Sequence, residues 1–516
     1  MIEDSRRHVR VLVVGTGFSG LGAAIRLKEA GEDFVILEKT HDIGGTWAVN
    51  TYPGCMCDVP SHLYSFSFAL NPHWSRVFSP QPEIWDYLRD CADRFSLRPH
   101  IRFGTEVTGA RWDDARQQWQ VDTTDGTWTA DVLVAGTGAL SAPAVPSLPG
   151  LDTFEGKVFH SARWDHTHDL TGRRVAVIGT GASAIQFIPE IAPQVEQLTV
   201  LQRTPPWVMS RRDREMRPAE RRLYARLPGL QRLLRTAIYW VREVQGIFFL
   251  HPRLGRLGSH LSRQHLHRQV ADPELRARLT PRFAFGCKRV LMSNTYYPAL
   301  ARPNVTVETQ AIEEVRPEGI ATADGTVHEV DTIIFGTGFH VTDAPIAGLV
   351  RGRDGRSLAE HWAGSPQAYL GTAVAGFPNL FLPLGPNTGL GHTSVVLMIE
   401  SQIGYLMAAL AHLRRTGART IEPRPGAQAA FVRAVDRKMR GTTWVAGGCS
   451  SWYLDKTGRN STLWPGYTFG FRRMLARFDP AAHAISGVAP DPVAGASTVT
   501  APVAAAGTER EEPQSC

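Results

Sequence analysis

The chain has 516 residues, of which 43% are hydrophobic and 20% charged, a composition typical of a globular protein with about two to four domains. Its net charge of +7 is small for this length, and its densest basic stretch, residues 211–222, is interrupted by acids and lacks aromatic residues, which argues against nucleic-acid binding. The apolar runs are shorter than the roughly 18 residues that a membrane span needs, and residues 1–10 are polar, so we expect a cytoplasmic protein without a transmembrane segment.

The cysteines show neither a C-x-x-C pair nor the histidine spacing of a zinc site. We therefore expect no metal site, and free thiols in a reducing compartment. The six residues are Cys55, Cys57, Cys91, Cys287, Cys449 and Cys516.

The first predicted elements form a strand, a glycine-rich turn and a helix. The β-branched strand Val9 to Val14 runs into Gly15-Thr-Gly17-Phe-Ser-Gly20 and a helical stretch to about residue 30; a second strand, Phe34 to Leu37, ends in Glu38. The glycines allow a tight turn, close approach of a pyrophosphate and packing of helix on strand, and Glu38 can accept a hydrogen bond from a ribose 2′-hydroxyl. This unit predicts dinucleotide binding.

The same unit recurs at residues 174–202. The strand Arg174 to Ile178 is followed by Gly179-Thr-Gly181-Ala-Ser183-Ala184, and the next strand leads to Arg203 and Thr204. A carboxylate repels a 2′-phosphate, whereas a guanidinium binds one. The first unit therefore suits FAD or NAD and the second suits NADPH, although Arg203 could instead form a surface ion pair.

Each unit is followed, much later, by an apolar strand that ends in Gly-Thr-Gly, at residues 131–138 and 331–338. The matching placement indicates repetition of a whole domain plan. Glycines at the strand ends would let the backbone pass close under a bound cofactor.

Between residues 211 and 280 the pattern changes to Arg- and Leu-rich helical periodicity, which predicts a helical insertion. Its apolar stretches, residues 237–240 and 247–250, are typical of core packing, but a hydrophobic substrate entrance or a membrane contact would have the same pattern. The Ala-, Pro- and Gly-rich tail after about residue 486 is expected to be disordered.

The linker that enters the second unit resembles a family fingerprint. Residues 154–165, FEGKVFHSARWD, fit F-x-G-x-x-x-H-x-x-x-W-(P/D) at every defined position: Phe154, Gly156, His160, Trp164 and Asp165. This motif is similar to that of the Baeyer-Villiger monooxygenases, a branch of the flavin-dependent monooxygenases, and the resemblance covers roughly residues 9–480. It implies that His160 couples the two domains; by its residue type alone, His160 reads as a hydrogen-bonded structural histidine.

Further matches imply the site residues. Residues 44–66 resemble the flavin-contacting loop of the family, with Gly45, Thr46, Trp47 and Tyr64 near the flavin and Asp58 as the active-site aspartate; without the resemblance, Asp58 could be a turn or helix-capping residue.

Residues 285–290, FGCKRV, resemble the segment in which Lys288 assists Arg203 on the 2′-phosphate and Arg289 is the active-site arginine, although a Lys-Arg pair alone is usually a surface feature. Two later matches imply a flavin-domain segment at Asn387 and a nicotinamide contact at Trp452.

The resemblance implies an enzyme in which NADPH reduces FAD, O2 adds to the flavin, and the resulting peroxide attacks a ketone to give an ester or lactone. Arg289 would stabilise the negative charge and Asp58 would orient Arg289. An amine- or sulfur-oxygenating flavin monooxygenase and a catalytically silent flavin-binding sensor are the alternatives. The bulky apolar insertion favours large linear or aryl ketones, while the oligomeric state is not predicted.

The predicted fold is α/β, with two Rossmann-like dinucleotide-binding domains, for FAD and NADPH, and a helical insertion. We expect the FAD domain in residues 1–145 and 346–485, the NADP domain in 146–211 and 281–345, the insertion in 212–280 and the disordered tail in 486–516.

Overall fold

The structure is a computed structural model that describes residues 7–488. The first three residues of the predicted tail, 486–488, end a strand; the rest of the predicted tail lies outside the described residues.

The first part of the chain contains six strands of the first sheet and three helices. The elements are β1 (Arg7–Val14), α1 (Phe18–Glu29), β2 (Phe34–Leu37), α2 (Thr46–Val49), α3 (Gln81–Arg94), β3 (Ile101–Arg102), β4 (Val107–Asp113), β5 (Gln118–Thr123) and β6 (Gly126–Ala135). Strand β1 lies between β2 and β6 and is parallel to both, while β4, β5 and β6 form an antiparallel meander. Because β2 is fully buried, its sequence is a continuous apolar run.

The second unit has the predicted strand, turn and helix. Its elements are β7 (Lys157–His160), β8 (Arg174–Ile178), α4 (Ala184–Ile191), β9 (Gln197–Leu201) and β10 (Val208–Met209).

The predicted helical insertion is confirmed. Five helices follow β10, and four of them begin with proline. Proline is tolerated in the first helical turn because the N–H that it lacks would have no partner there. They are α5 (Pro218–Arg226), α6 (Pro228–Gln245), α7 (Ile247–Leu250), α8 (Pro252–Gln269) and α9 (Pro273–Arg278).

The chain then completes the second sheet. The elements are β11 (Leu291–Met292), α10 (Tyr296–Leu300), β12 (Val305–Glu308), β13 (Ile312–Arg316), β14 (Gly319–Thr322), β15 (Val327–Glu329) and β16 (Thr332–Phe335). The second sheet is parallel throughout, in the order β12-β9-β8-β16-β7. Strands β13 to β15 form a small antiparallel sheet of their own.

The last part of the chain returns to the first sheet, where β17 pairs with β4 and β18 pairs with β6. Its elements are α11 (Ile346–Leu349), β17 (Val350–Arg351), α12 (Leu358–Trp362), β18 (Leu380–Phe381), α13 (Val395–Thr416), β19 (Ala418–Pro423), α14 (Pro425–Met439), α15 (Thr443–Ala446), α16 (Thr468–Leu475) and β20 (His483–Val488). Short 3-10 turns occur at Arg98–His100, Leu151–Thr153, Ser161–Arg163 and Pro480–Ala482.

The two Gly-Thr-Gly strand ends pack against the two glycine-rich turns. A Cβ on Gly136 would lie 2.9 Å from the nitrogen of Gly20, and a Cβ on Gly179 would lie 2.5 Å from the carbonyl oxygen of Gly336. Glycine is therefore required at the strand end in the first unit and at the turn in the second, and in both units the strand end packs on the turn, so the structure contains the internal repeat.

One helix of the described residues, α13, is long and apolar enough to cross a membrane by length and composition. Its most apolar window is 56% buried inside the protein, where it packs against α1, α16 and β19. Burial of this kind is also found in the core helix of a globular domain.

The expectation of free thiols is wrong for Cys287 and Cys449, which form a disulfide with their Cα atoms 6.2 Å apart. The two residues are 162 positions apart in the sequence, so no local spacing marks them as partners. Cys55, Cys57 and Cys91 are buried and free.

Candidate active site

The first glycine-rich turn and its acidic residue form a compact unit. Glu38 is buried, and its Oε2 accepts hydrogen bonds from the backbone nitrogen and hydroxyl of Thr16, at 2.9 and 2.6 Å. Its Oε1 accepts from the nitrogen and hydroxyl of Thr40, at 2.9 and 2.8 Å. Glu38 therefore fixes the shape of the turn, and the predicted ribose contact would come in addition to these bonds.

The loop after Glu38 approaches the same turn closely. A Cβ on Gly45 would lie 2.9 Å from the Cα of Gly17, and Gly45 has a φ of 53°, which favours glycine. The indole nitrogen of Trp47, next to Thr46, donates to the hydroxyl of Tyr64 at 3.2 Å. Glycine backbone beside an aromatic wall fits a pyrophosphate and an attached planar ring.

In the second unit, two cations lie near each other. Gly179 has a φ of 111°, and the hydroxyl of Thr180 donates to the carbonyl oxygen of Thr204 at 3.3 Å, which links the turn to the segment after β9. Burial lowers the pKa of Lys288, and the charge of Arg203 lowers it further. Two like charges held together fit a doubly charged phosphate.

Two other predicted residues, Gly181 and Ser183, lie where this turn leads into α4. Gly181 precedes the N-cap residue of α4, which is Ser183. The third glycine position is Ala184, whose Cβ is 3.1 Å from the position that a Cβ on Gly336 would take.

The two predicted catalytic residues form an ion pair. The Nε and Nη2 of Arg289 donate to Oδ2 of Asp58 at 2.9 and 2.6 Å, and Nη1 donates to the carbonyl oxygen of Leu390 at 3.4 Å. Both side chains keep about a quarter of their surface exposed, 27% and 28%. The charge of Asp58 raises the pKa of Arg289, so Arg289 stays protonated.

Two further residues, Arg242 and Tyr453, lie within electrostatic reach of this pair. Burial lowers the pKa of Arg242 on α6, while the charges of Asp58 and Arg289 act on it in opposite directions. Burial raises the pKa of Tyr453 to about 12, although the guanidinium of Arg289 opposes the shift. Arg242 thus adds a second positive charge in the neighbourhood of Asp58. No local motif marks Arg242, because its helix is brought to the site by the fold.

The fingerprint residues lie at the edge of the second sheet. His160 ends β7, opposite Phe335 of β16, and its Nδ1 accepts from the nitrogen of Ala162 at 3.0 Å. Burial lowers the pKa of His160 to about 4, so the ring is neutral at pH 7. Gly156 is required because a Cβ would lie 2.4 Å from the carbonyl oxygen of Asp331 and against the ring of Phe154.

The end of the fingerprint packs on α4. The ring of Trp164 lies 5.3 Å from Phe187, which in turn lies 6.0 Å from Tyr52 in the first-domain loop. Asp165 pairs with Lys157 at 2.8 Å, and this bond lowers the pKa of Asp165. Trp164 thus forms an aromatic connection between the two units, while Asp165 stabilises its own segment through the ion pair with Lys157.

Gln186 on α4 is another residue that the sequence did not single out. Its Oε1 accepts from the hydroxyl of Tyr52 at 3.0 Å and from the nitrogen of Met56 at 3.3 Å, and its Nε2 donates to the carbonyl oxygen of Met56 at 3.0 Å. Met56 is two residues before Asp58. Gln186 therefore ties the second nucleotide unit to the loop of the catalytic aspartate.

Asn387 uses its side chain inside the protein. Its Nδ2 donates to the carbonyl oxygens of Asn460 and Leu463 at 2.8 and 3.0 Å, and its Oδ1 accepts from Arg459 at 2.7 Å. Its predicted contact with the flavin stays a prediction. Trp452 is 45% exposed and packs on Tyr453, with ring centroids 4.4 Å apart.

Comparison with known proteins agrees with this geometry. The flavin-binding monooxygenase-like family matches residues 8–346. The chain is 53% identical over 491 residues to a Baeyer-Villiger monooxygenase of Streptomyces coelicolor, covering 95% of both chains. It is 50% identical over 481 residues to a Baeyer-Villiger monooxygenase of Pseudomonas aeruginosa, covering 92% of this chain and 91% of the other.

This chain belongs to the Baeyer-Villiger monooxygenases. The crystal structure of cyclohexanone monooxygenase from Rhodococcus sp. Phi1 bound to NADP+ is similar to it, with a TM-score of 0.84 at 31% identity, over 94% of this chain and 100% of the other. The predicted fold, two Rossmann-like domains with a helical insertion, is confirmed.

The Baeyer-Villiger monooxygenase uses FAD and NADPH and oxygenates a ketone, as predicted. The two alternatives, a heteroatom-oxygenating enzyme and a silent flavin-binding sensor, receive no support from these relatives. Within residues 7–488, no group of three or more His, Cys, Asp or Glu residues could hold a metal ion.

Proposed function

We propose that this Baeyer-Villiger monooxygenase oxygenates its ketone beside the Arg289–Asp58 ion pair, with Arg289 as the catalytic cation. The observation that carries the proposal is the pairing itself: the two hydrogen bonds from Arg289 to Asp58 end on the same carboxylate oxygen. This fixes the guanidinium plane before any substrate arrives. A preorganised cation stabilises developing negative charge most strongly where water is scarce.

The donor count of Arg289 supports this role. A guanidinium has five N–H donors, of which three are used by Asp58 and Leu390. The remaining N–H groups can donate to an oxygen that gains negative charge. Arg242 adds a second positive charge nearby, so Asp58 does not neutralise the site.

The predicted cofactor roles are consistent with the two turns. FAD, when bound, supplies the activation of O2, and NADPH supplies the hydride. We assign the FAD phosphates to Gly15, Gly17, Gly20 and Gly45, and the 2′-phosphate of NADPH to Arg203 and Lys288. Trp47 and Tyr64 would pack beside the flavin ring.

We further propose that the fingerprint couples the two nucleotide domains. The contact of Trp164 with Phe187 of α4 supports this role, because Phe187 and the hydrogen bonds of Gln186 connect α4 to the loop that carries Asp58. His160 would position this linker in its neutral form. The division of the chain into the segments predicted above, and the cytoplasmic location, also stay predictions.

The substrate we propose is a hydrophobic ketone, large and linear or aromatic. Support comes from Phe249 of α7. A Cβ on Gly286 would lie 2.7 Å from the ring of Phe249, and this ring stacks on that of Trp444 with centroids 6.2 Å apart. Apolar rings therefore stand close to the segment that carries Arg289.

The test is a panel of linear, aryl and small cyclic ketones with NADPH and O2, in which product mass is followed. We expect a gain of one oxygen atom with NADPH consumed in proportion. Oxygenation of small cyclic ketones alone would contradict the proposed class.

A further inference from the structure

Helix α6 has its polar and apolar faces reversed relative to a normal surface helix. Its buried residues include Gln231, Arg235 and Glu243. The Nε2 of Gln231 donates to the carbonyl oxygen of Asn71 at 2.6 Å, and Arg235 donates to the carbonyl oxygen of His62 at 2.7 Å.

Farther along the helix, Glu243 accepts from the backbone nitrogen of Thr468 at 3.0 Å. The inner face is thus held by hydrogen bonds from one end of the helix to the other. An amphipathic helix normally turns its apolar stripe to the core.

The outer face of α6 carries the apolar residues. They follow helical spacing and their exposed fractions are large: Leu230 37%, Leu233 65%, Trp240 52%, Val241 58% and Val244 67%. Phe469 at the start of α16 extends the surface, since its ring centroid lies 6.2 Å from that of Trp240 and it is 48% exposed. We call these six residues the α6 patch. A contiguous exposed apolar patch on a folded protein marks a site of interaction.

The positive charge of the chain is concentrated in the stretch of sequence that contains α6 and α8. Residues 221–270 contain ten arginines, no lysine and one acid, Glu243, which is buried; Arg235 is also buried and Arg242 belongs to the active site, so eight arginines remain for the surface. Their net charge of +9 exceeds the +7 of the whole chain, so the rest of the chain is slightly acidic. Helix α8, which α7 joins to α6, exposes Leu254 and Leu257 and also carries Arg253 and Arg256.

We propose that the α6 patch docks on the surface of an anionic phospholipid bilayer, with α6 lying in the plane of the interface. Apolar side chains with a tryptophan would enter the boundary between head groups and acyl chains, and the arginines would bind lipid phosphates and carboxylates. This partner would thus contact both the exposed apolar side chains and the arginines.

Other occupants fit less well. A second copy of this chain would bring a like-charged surface against the patch, which is unfavourable. A nucleic acid would use the arginines but would leave the exposed valines and leucines between them without a partner.

The experiment uses the full-length protein loaded with FAD and flotation with two kinds of vesicles, phosphatidylcholine alone and phosphatidylcholine mixed with phosphatidylserine. We expect binding to the mixed vesicles that weakens as salt is raised, and little binding to phosphatidylcholine alone. The double variant Trp240→Ser/Val244→Ser should bind about tenfold more weakly. Arg253→Gln should weaken binding about fivefold.

Matched controls separate docking from folding and catalysis. Val145→Ser and Arg433→Gln lie outside residues 221–270 and should bind vesicles as the wild type does. The melting temperature and the oxygenation rate with a water-soluble ketone should be unchanged in the α6 patch variant.

Several outcomes would overturn the proposal. They are the absence of binding to mixed vesicles, equal binding by the wild type and the α6 patch variant, and a dimer in sedimentation that the variant dissociates while vesicles bind neither protein. Tighter binding to a short DNA duplex than to the mixed vesicles would likewise contradict it.

Discussion

Arg289 and Asp58 are 231 residues apart in the sequence, yet two nitrogens of the arginine donate to the same carboxylate oxygen. Asp58 belongs to a loop of the first unit, and Arg289 lies two residues before the start of β11, after the insertion. The pair therefore exists only while these parts of the chain are docked. Removing either partner would leave a partly buried charge uncompensated.

Replacing the cations of the second unit should change nucleotide choice. A hydrogen bond to a charged group contributes roughly 1.5 to 3 kcal/mol, so Arg203→Ala should weaken NADPH use about ten- to a hundredfold. NADH use should change little, because Arg203 acts on the 2′-phosphate. FAD content should also change little, because FAD is assigned to the first turn. Lys288→Ala should show the same selectivity with a smaller loss.

The measurement is kcat/KM for NADPH and for NADH in each variant, with the exposed Arg302→Ala as a matched control. Equal losses with both nucleotides would remove the assignment of Arg203 to the 2′-phosphate.

Protonation of His160 should destabilise the protein at low pH. Its folded pKa of about 4 lies below the ordinary value of 6.5, so the unfolded chain binds the extra proton as pH falls below 6.5. The free energy of unfolding should therefore decrease between pH 6.5 and 4, by on the order of 2 kcal/mol from this residue. His62, with a pKa also lowered by burial to about 4, acts in the same direction.

Urea unfolding across this pH range checks the prediction. His160→Gln should reduce the slope of the free energy of unfolding against pH, whereas replacing the exposed His73 by Gln should leave that slope unchanged. The oxygenation rate of His160→Gln should be lower with normal FAD content, but its pH profile should not lose an ionisation between pH 6 and 9; such a loss would make His160 an acid-base group.

Gln186 should behave as a positioning residue. Gln186→Ala removes three hydrogen bonds to the Tyr52–Met56 loop, each of which contributes about 1 kcal/mol, so the free energy of unfolding should fall by about 1 to 3 kcal/mol. Oxygenation should slow more than flavin reduction, because Asp58 lies on this loop. Gln186→Glu keeps the acceptor and should restore part of the rate.

Stopped-flow traces of the two steps provide the readout, and Gln194→Ala, three residues beyond the end of α4, is the matched control. Equal slowing of both steps with no rescue by glutamate would indicate a purely structural role.

The disulfide predicts a thiol count. In denaturant without reductant, four of the six thiols should react, and all six after reduction. The thiols of Cys55 and Cys91 should react slowly in the folded protein, because burial raises their pKa to about 12. Cys449→Ser should lower the free energy of unfolding by about 2 to 4 kcal/mol.

Five reactive thiols are expected for unreduced Cys449→Ser, since Cys287 is released. Six reactive thiols in the unreduced wild type would contradict the disulfide.

Local signals predicted the parts of the site that a few consecutive residues create. The turns at Gly15 and Gly179 were recognisable because each glycine is required by its own neighbours, and the fingerprint brought His160 and Trp164 to attention. Gln186 could not be recognised, since its partners are 130 and 134 residues away. The same holds for Cys287 with Cys449.

Helix α6 shows a second limit. Its periodic apolar residues suggested core packing of residues 237–240, yet Trp240 is exposed while Arg235 and Glu243 are buried. Periodicity identifies two faces of a helix but not which face turns inward, and here hydrogen-bond partners from distant loops decide it.

The central claim is that Arg289 stabilises the negative charge of the oxygenation step. Arg289→Ala should be mixed anaerobically with NADPH to follow flavin bleaching, and then assayed in air for ester and hydrogen peroxide, with Arg302→Ala as control and Asp58→Ala for comparison. We predict measurable flavin reduction, loss of ester formation by about a hundredfold or more, hydrogen peroxide in its place, and a milder defect in Asp58→Ala. Ester formation by Arg289→Ala near the wild-type rate would contradict the account.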